Sequence, residues 1–247
     1  KTPRTGQTVV HDLLRGDVVY ENTELDDLVF LRTDGSPTYN FVVVIDDASM
    51  AITHVLRGDD HLNNTPKQVL LYEALGYPIP CFGHFPLIHG MEGGKMSKRQ
   101  DDVSVTAYRE KGYLPEAMVN YLVRLGWGHG DQEIFSEEEM IRLFSLEHVG
   151  RSPSKFNLDK LQSVNAHYMK SADPSLLAAL LVPFLAKRGI EAAPSPRLTA
   201  IVRTLQERAR TLEEMADAAE FYFREKPTDP SVAAKFLTPA IAPVLRD

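Results

Sequence analysis

A single cysteine, Cys81, in 247 residues excludes an intramolecular disulfide framework and leaves no cysteine cluster for a structural zinc. Cys81 is expected to behave as a small buried hydrophobe. No apolar run approaches the ~20 residues that span a bilayer, and the polar Lys1–Asp12 opening lacks the core of a signal peptide. These absences predict a reducing, aqueous setting, with no membrane partner and a cytoplasmic location. Internal repeats and low-complexity tracts are also missing, which excludes solenoid and linker architectures. The chain has no excess of positive charge either. Its 27 Lys and Arg against 34 Asp and Glu give a net charge of -7, which argues against coating nucleic acid over the whole surface. His61, His84 and His89 are spaced by 23 and 5 residues, matching no compact zinc pattern, so they are expected in the core or at the surface.

The length and the 43% hydrophobic content suffice for about two domains with buried cores. Up to about Tyr113 the texture is α/β. Val18–Tyr20, Phe41–Ile45 and Thr53–Leu56 have strand character, and Thr65–Leu75 has helical character. Phe41–Ile45 is apolar at every position, as in a strand covered on both faces, with Asp46 and Asp47 at its C-terminal end, where ligands of open α/β sheets bind. Adjacent strand residues point to opposite faces, so these two acids read as structural or ligand-positioning groups rather than an acid and base pair.

From Leu114 the pattern turns helical. Pro115 suits a first turn leading to Gly126, and Ser136 with Glu139 fits a capping box for a helix ending near Phe144. Lys155–Tyr168 predicts another helix, and Lys170–Pro174 a break. Beyond Ser175, amphipathic helices are punctuated by Pro194, Pro196, Pro227, Pro230, Pro239 and Pro243.

Two features carry chemistry. Between Arg151 and Arg210 ten Lys and Arg face four acids, a basic segment that suits phosphate contacts but equally a solvated helix face. Gly93-Gly94-Lys95-Met96-Ser97-Lys98-Arg99 places three cations within five residues behind two glycines. Such a loop can close on a polyphosphate and stabilise a leaving pyrophosphate, or it can be a solvated basic turn.

Lys-Met-Ser-Lys resembles the second signature loop of class I aminoacyl-tRNA synthetases. Thr33–Phe41, Asp46-Asp47, Thr53–His61 and Asn64-Thr65-Pro66 resemble bacterial glutamyl-tRNA synthetases in the same order, and Tyr113–Ala117 and Leu125–Asp131 continue the likeness until it fades near residue 175. The resemblance implies the C-terminal half of a Rossmann-like α/β catalytic domain (1–113), a helical stem-contact domain (114–170) and a helical anticodon-binding region (171–247). It places Tyr39 and Arg57 at the substrate L-glutamate, where a guanidinium can bind a carboxylate in paired fashion. It places Asp60 and the Ile88 backbone at ATP, Lys98 on the ATP phosphates, and Lys95 and Arg99 as supporting cations of the catalytic loop, with Ser97 structural. Outside the resemblance, Arg57 could merely pair with Asp59 or Asp60, and Tyr39 could be plain packing.

The implied activity is attachment of glutamate to tRNA(Glu) through a glutamyl-adenylate, with ATP and Mg2+ as the substrate complex and no zinc site. The sequence departs from the family in two places. The His-Ile-Gly-His signature does not occur, so a fragment lacking the N-terminal part of the catalytic domain, inactive alone, is expected. Gln100-Asp101-Asp102 replaces the His-Gly that usually follows Lys-Arg. Three alternatives stand beside the main reading: a glutamyl-Q type tRNA-modifying synthetase, a catalytically silent tRNA-binding module, and an unrelated nucleotidyl transferase.

Overall fold

Thr8, Val10 and Asp12 alternate with more exposed residues, so this stretch forms β1 (Gln7–Asp12). A tight turn at Gly16, with φ of 77°, returns the chain as the antiparallel β2 (Gly16–Glu21). The computed structural model describes residues 1–94, 96, 104–224 and 230–236, with backbone only at 233 and 236. In chain order there follow α1 (Tyr39–Ser49), β3 (His54–Gly58), α2 (Thr65–Leu75), β4 (Cys81–Phe85) and β5 (Ile88–His89). Next come α3 (Val105–Glu110), α4 (Pro115–Gly126), α5 (Glu137–Leu143) and β6 (Ser154–Lys155). The remaining described elements are α6 (Leu158–Ser171), α7 (Pro174–Lys187), α8 (Pro196–Leu205), α9 (Leu212–Ala219) and α10 (Pro230–Phe236). A mixed α/β region is thus followed by helices, as the sequence texture predicts.

Two compact units divide the chain: residues 1–103 with 119–158, and residues 104–118 with 159–247. In the first, a four-stranded sheet has the order β2-β1-β4-β3, with β4 parallel to both β1 and β3. Parallel neighbours need a crossover, and α2 supplies it between β3 and β4. α2 ends on Gly76 in the left-handed conformation, at φ of 69°. Val10 of β1 and Phe82 of β4 bury against Val44 of α1 and Val69, Leu71 and Tyr72 of α2, making one core on that face of the sheet. Leu14, Trp127, Phe135, Met140 and Val149 form a second cluster. A short parallel pair joins β5 to β6, with Ile88 opposite Ser154.

The second unit is helical around Leu177, Leu181 and Leu185 of α7, Leu198 and Val202 of α8, and Met215 of α9, all nearly or fully buried. Among the described residues no helix is long and apolar enough to cross a membrane.

Three expectations need correction. Phe41–Ile45 is not a strand but part of α1, whose inward residue is Val44. A short apolar run has no period of its own, and here α1 packs against α2, so tertiary packing overrides the β-branched preference. The helix expected from Lys155 begins at Leu158, because Ser154 and Lys155 extend to pair with Ile88 and His89. Cys81 is exposed, since in the strand that buries Phe82 its side chain falls on the opposite side. The expected α2 span, the start of α4 at Pro115 and the Ser136/Glu139 capping box are all present, the last with both reciprocal bonds formed.

Candidate active site

Strand register builds the centre of the site. Arg57 is the penultimate residue of β3 and lies directly opposite His84 of β4. Side chains of register partners share a face, so the guanidinium and the imidazole meet. Arg57 Nε donates to His84 Nε2 at 3.1 Å, and Nη2 donates to Thr65 Oγ1 and Gln68 Oε1, each at 2.8 Å. Both acceptors come from the first turn and a half of α2. Gln68 in turn donates to Asn40 Oδ1 of α1 at 2.8 Å. The guanidinium also sits 5.6 Å from the Phe82 ring centre, which supports it as a cation on an aromatic face.

Among the described residues Arg57 is bonded to His84, Thr65 and Gln68 rather than to Asp59. Asp59 instead accepts from Arg15 Nη2 at 2.6 Å. The Asp60 carboxylate stands over Gly58, so close that a β-carbon there would lie 2.7 Å from Asp60 Oδ1. Asp60 is the second residue of the 3-10 turn Asp59–Asn64 that follows β3. Tyr39, 48% exposed at the start of α1, reaches that turn through a 3.2 Å bond between its hydroxyl and His61 Nδ1. Tyr39 is therefore neither buried packing nor isolated.

Burial lowers the pKa of Arg57 from its ordinary value, opposed by the neighbouring Tyr39, Asp47 and Tyr72, and the group stays a cation. Asp47 is raised by burial, with the Arg57 charge pulling it back. Burial, with the Asp47 carboxylate beside it, pushes the Tyr72 hydroxyl up to about 12. Asp46 and Asp47 lie in the last turn of α1 rather than at a strand end, and it is Asp47 that enters the field of Arg57.

Ile88, in β5, is partly exposed, and its carbonyl accepts from the Met96 N–H at 3.3 Å. Between them the chain turns at Gly90–Gly94, where Gly93 and Gly94 adopt φ of 88° and 81°, so the glycines ahead of the basic loop serve a turn that other residues would strain. Lys95, Lys98 and Arg99 lie outside the described residues, as do Ser97 and Gln100-Asp101-Asp102.

Sequence reasoning missed the groups behind Arg57. His84 is fully buried, and its Nδ1 meets Asp12 Oδ2 at 2.5 Å. Asp12 also accepts from the backbone N–H groups of Leu14 and Arg15, both at 2.9 Å. These two residues are 72 positions apart, and only the β1–β4 pairing brings them together. The one local signal was a histidine inside the otherwise apolar Cys81–Phe85 strand. No group of three or more His, Cys, Asp or Glu among the described residues is placed to hold a metal ion.

Comparison with known proteins gives consistent results. Residues 1–163 match the family model described as tRNA synthetases class I (E and Q), catalytic domain, and residues 176–247 match that of an anticodon binding domain. A glutamate-tRNA ligase of Geotalea uraniireducens is 59% identical over 245 residues, covering 99% of this chain and 52% of that protein. One from Geobacter sulfurreducens is 56% identical over 246 residues, covering 99% and 53%. The solved structure of a glutamate tRNA ligase from Elizabethkingia meningosepticum, in complex with its amino acid, superposes with a TM-score of 0.83 at 32% identity, covering 100% of this chain and 53% of the other. The chain thus spans about half the length of the curated relatives it matches.

Proposed function

The chain belongs to the class I tRNA synthetase (E and Q) catalytic-domain family, and on that premise we propose that it takes part in ATP-dependent attachment of glutamate to tRNA(Glu). The observation that carries this reading is Arg57. It is a cation held by neutral acceptors at the end of a parallel strand, one turn from Asp60 and beside Tyr39. A guanidinium so held suits a small carboxylate, because its hydrogen-bonded anchors are neutral and a rigid fork loses little freedom on binding.

In this reading Arg57 and Tyr39 hold L-glutamate. Asp60 and the Ile88 backbone contact ATP, and Lys95, Lys98 and Arg99 stabilise charge on the phosphates. The glutamate carboxylate attacks the α-phosphate of Mg-bound ATP, forming glutamyl-adenylate and releasing pyrophosphate. The terminal adenosine of the tRNA then attacks the adenylate carbonyl and AMP departs. The reaction so written forms no covalent bond to a side chain of this set, so catalysis rests on positioning and on stabilising charge. The stem-contact and anticodon-binding divisions at 114–170 and 171–247 would reach RNA chiefly by its shape and phosphates.

The match of residues 176–247 to an anticodon binding domain counts against the glutamyl-Q type enzyme, which lacks that part. Glutamate-dependent exchange of pyrophosphate into ATP, together with charging of tRNA(Glu), is the test, measured on the whole protein. Arg57→Ala should raise the KM for glutamate by about 30-fold or more, since truncating one side of a hydrogen-bonded charge pair costs about 2–5 kcal/mol. tRNA binding without any exchange would instead favour the silent binding module.

A further inference from the structure

The buried pair Asp12 and His84 has no part in the reaction as written, yet its bonds run directly into Arg57. We infer that Asp12 and His84 are positioning residues that orient the Arg57 guanidinium for the substrate carboxylate, an inference that rests on the functional reading above. Three observations combine. Asp12 is itself fixed, accepting from the Leu14 and Arg15 N–H groups at 2.9 Å and from the His84 N–H at 3.4 Å. With its side chain fully buried, its carboxylate then accepts the His84 Nδ1 proton at 2.5 Å. A carboxylate accepts only, so this bond puts the proton on Nδ1 and leaves Nε2 as an acceptor, with Arg57 Nε at 3.1 Å and the Thr65 hydroxyl at 2.9 Å.

The result is a planar group held at two corners. Nε is fixed by His84 and Nη2 by Thr65 and Gln68, which sets the plane of the guanidinium and the direction of Nη1. The chemistry of the anchors is selective. A carboxylate bound directly to Arg57 would neutralise it and compete with the substrate. His84 is a neutral acceptor, and it places the Asp12 charge one residue further back. Of the nearby acids, Asp59 is occupied by Arg15 at 2.6 Å, while Asp47 acts on Arg57 through its charge. Fully buried His84 and Asp12, together with Thr65 at 0% and Gln68 at 1% exposure, leave little space for Arg57 to adopt a second arrangement.

Isosteric variants separate this role from ordinary core packing. His84→Asn retains a δ-type donor towards Asp12 but removes the acceptor for Arg57. His84→Gln retains an acceptor at the ε position and removes the donor. In pyrophosphate exchange by the whole protein, His84→Asn should raise the KM for glutamate about tenfold or more while shifting the KM for ATP by less than about twofold. His84→Gln should recover most of the glutamate KM. Asp12→Asn lets the imidazole turn a proton towards Arg57, so it should resemble His84→Asn, and it reads the same split should His84→Asn fail to fold. If these variants lower the melting temperature but move both KM values alike, or neither, the positioning role is wrong although the wild type still exchanges. A wild-type protein without glutamate-dependent exchange overturns the functional reading, and the positioning role with it.

Discussion

Asn165 offers a stability test whose size follows from the structure. In the helical unit it is fully buried on α6. Its Oδ1 accepts from the Leu114 N–H at 2.8 Å, and its Nδ2 donates to the Arg210 carbonyl at 2.5 Å. One side chain thereby satisfies the backbone just before Pro115 and the backbone just before α9. Asn165→Ala leaves a buried donor and a buried acceptor without partners, each costing about 1–3 kcal/mol, so a total of about 2–6 kcal/mol is expected. For a protein of this size each kcal/mol lowers the melting temperature by about 2–4 °C, giving a fall of roughly 5–20 °C. Asn165→Asp separates the halves, because it still accepts from Leu114 but turns a carboxylate oxygen on the Arg210 carbonyl. Its deficit should shrink as pH falls and the acid becomes able to donate. Thermal melts by circular dichroism at pH 7 and pH 5 read both effects. An alanine variant that melts within about 1 °C of wild type refutes the reasoning, because it would mean that these backbone groups are satisfied without Asn165.

Two further outcomes follow from the same kind of argument. Burial, the larger influence, lowers the pKa of His84 against the pull of Asp12. Burial raises Asp12, but the bonds from His84 and from the backbone N–H groups outweigh it and leave it low. Folded-state values below the unfolded ones mean stability that is fully present above the unfolded pKa, about 6.5 for His and about 3.9 for Asp, and lost as pH falls below it. Wild-type melting temperature should therefore drop from pH 7 to 5 more steeply than that of His84→Gln, and equal slopes would discount the pair. Gly112→Ala meets both a left-handed backbone, φ of 82°, and a β-carbon 2.7 Å and 2.8 Å from the backbone nitrogens of Glu213 and Leu212. Strain and overpacking together should cost about 2–4 kcal/mol, read as a lower urea midpoint, and an unchanged midpoint would mean the turn yields.

Local chemistry was legible wherever neighbours in the chain decide the outcome. The Ser136 and Glu139 capping box, the Pro115 helix start and the Thr65–Leu75 helix all depend on residues within a few positions of one another. Motif order along the chain likewise carried the resemblance that the family match supports. Phe41–Ile45 marks the limit, because an all-apolar run holds no period that separates a covered strand from a covered helix, and only packing against α2 resolves it.

Arg57 shows the same division at the site. The resemblance to glutamyl-tRNA synthetases marked it as a candidate from sequence, together with Tyr39 and Asp60. Which groups hold it could not be read there, since His84 and Asp12 reach it through strand register, and Thr65 and Gln68 through the packing of α2 on the sheet. The sequence by itself determined the kinds of chemistry available and the elements set by short-range bonds. Tertiary structure alone decided which acid pairs with which base, as when Asp59 went to Arg15 and Asp12 to His84, because pairing energies fall off within a few ångströms and chain separation carries no distance.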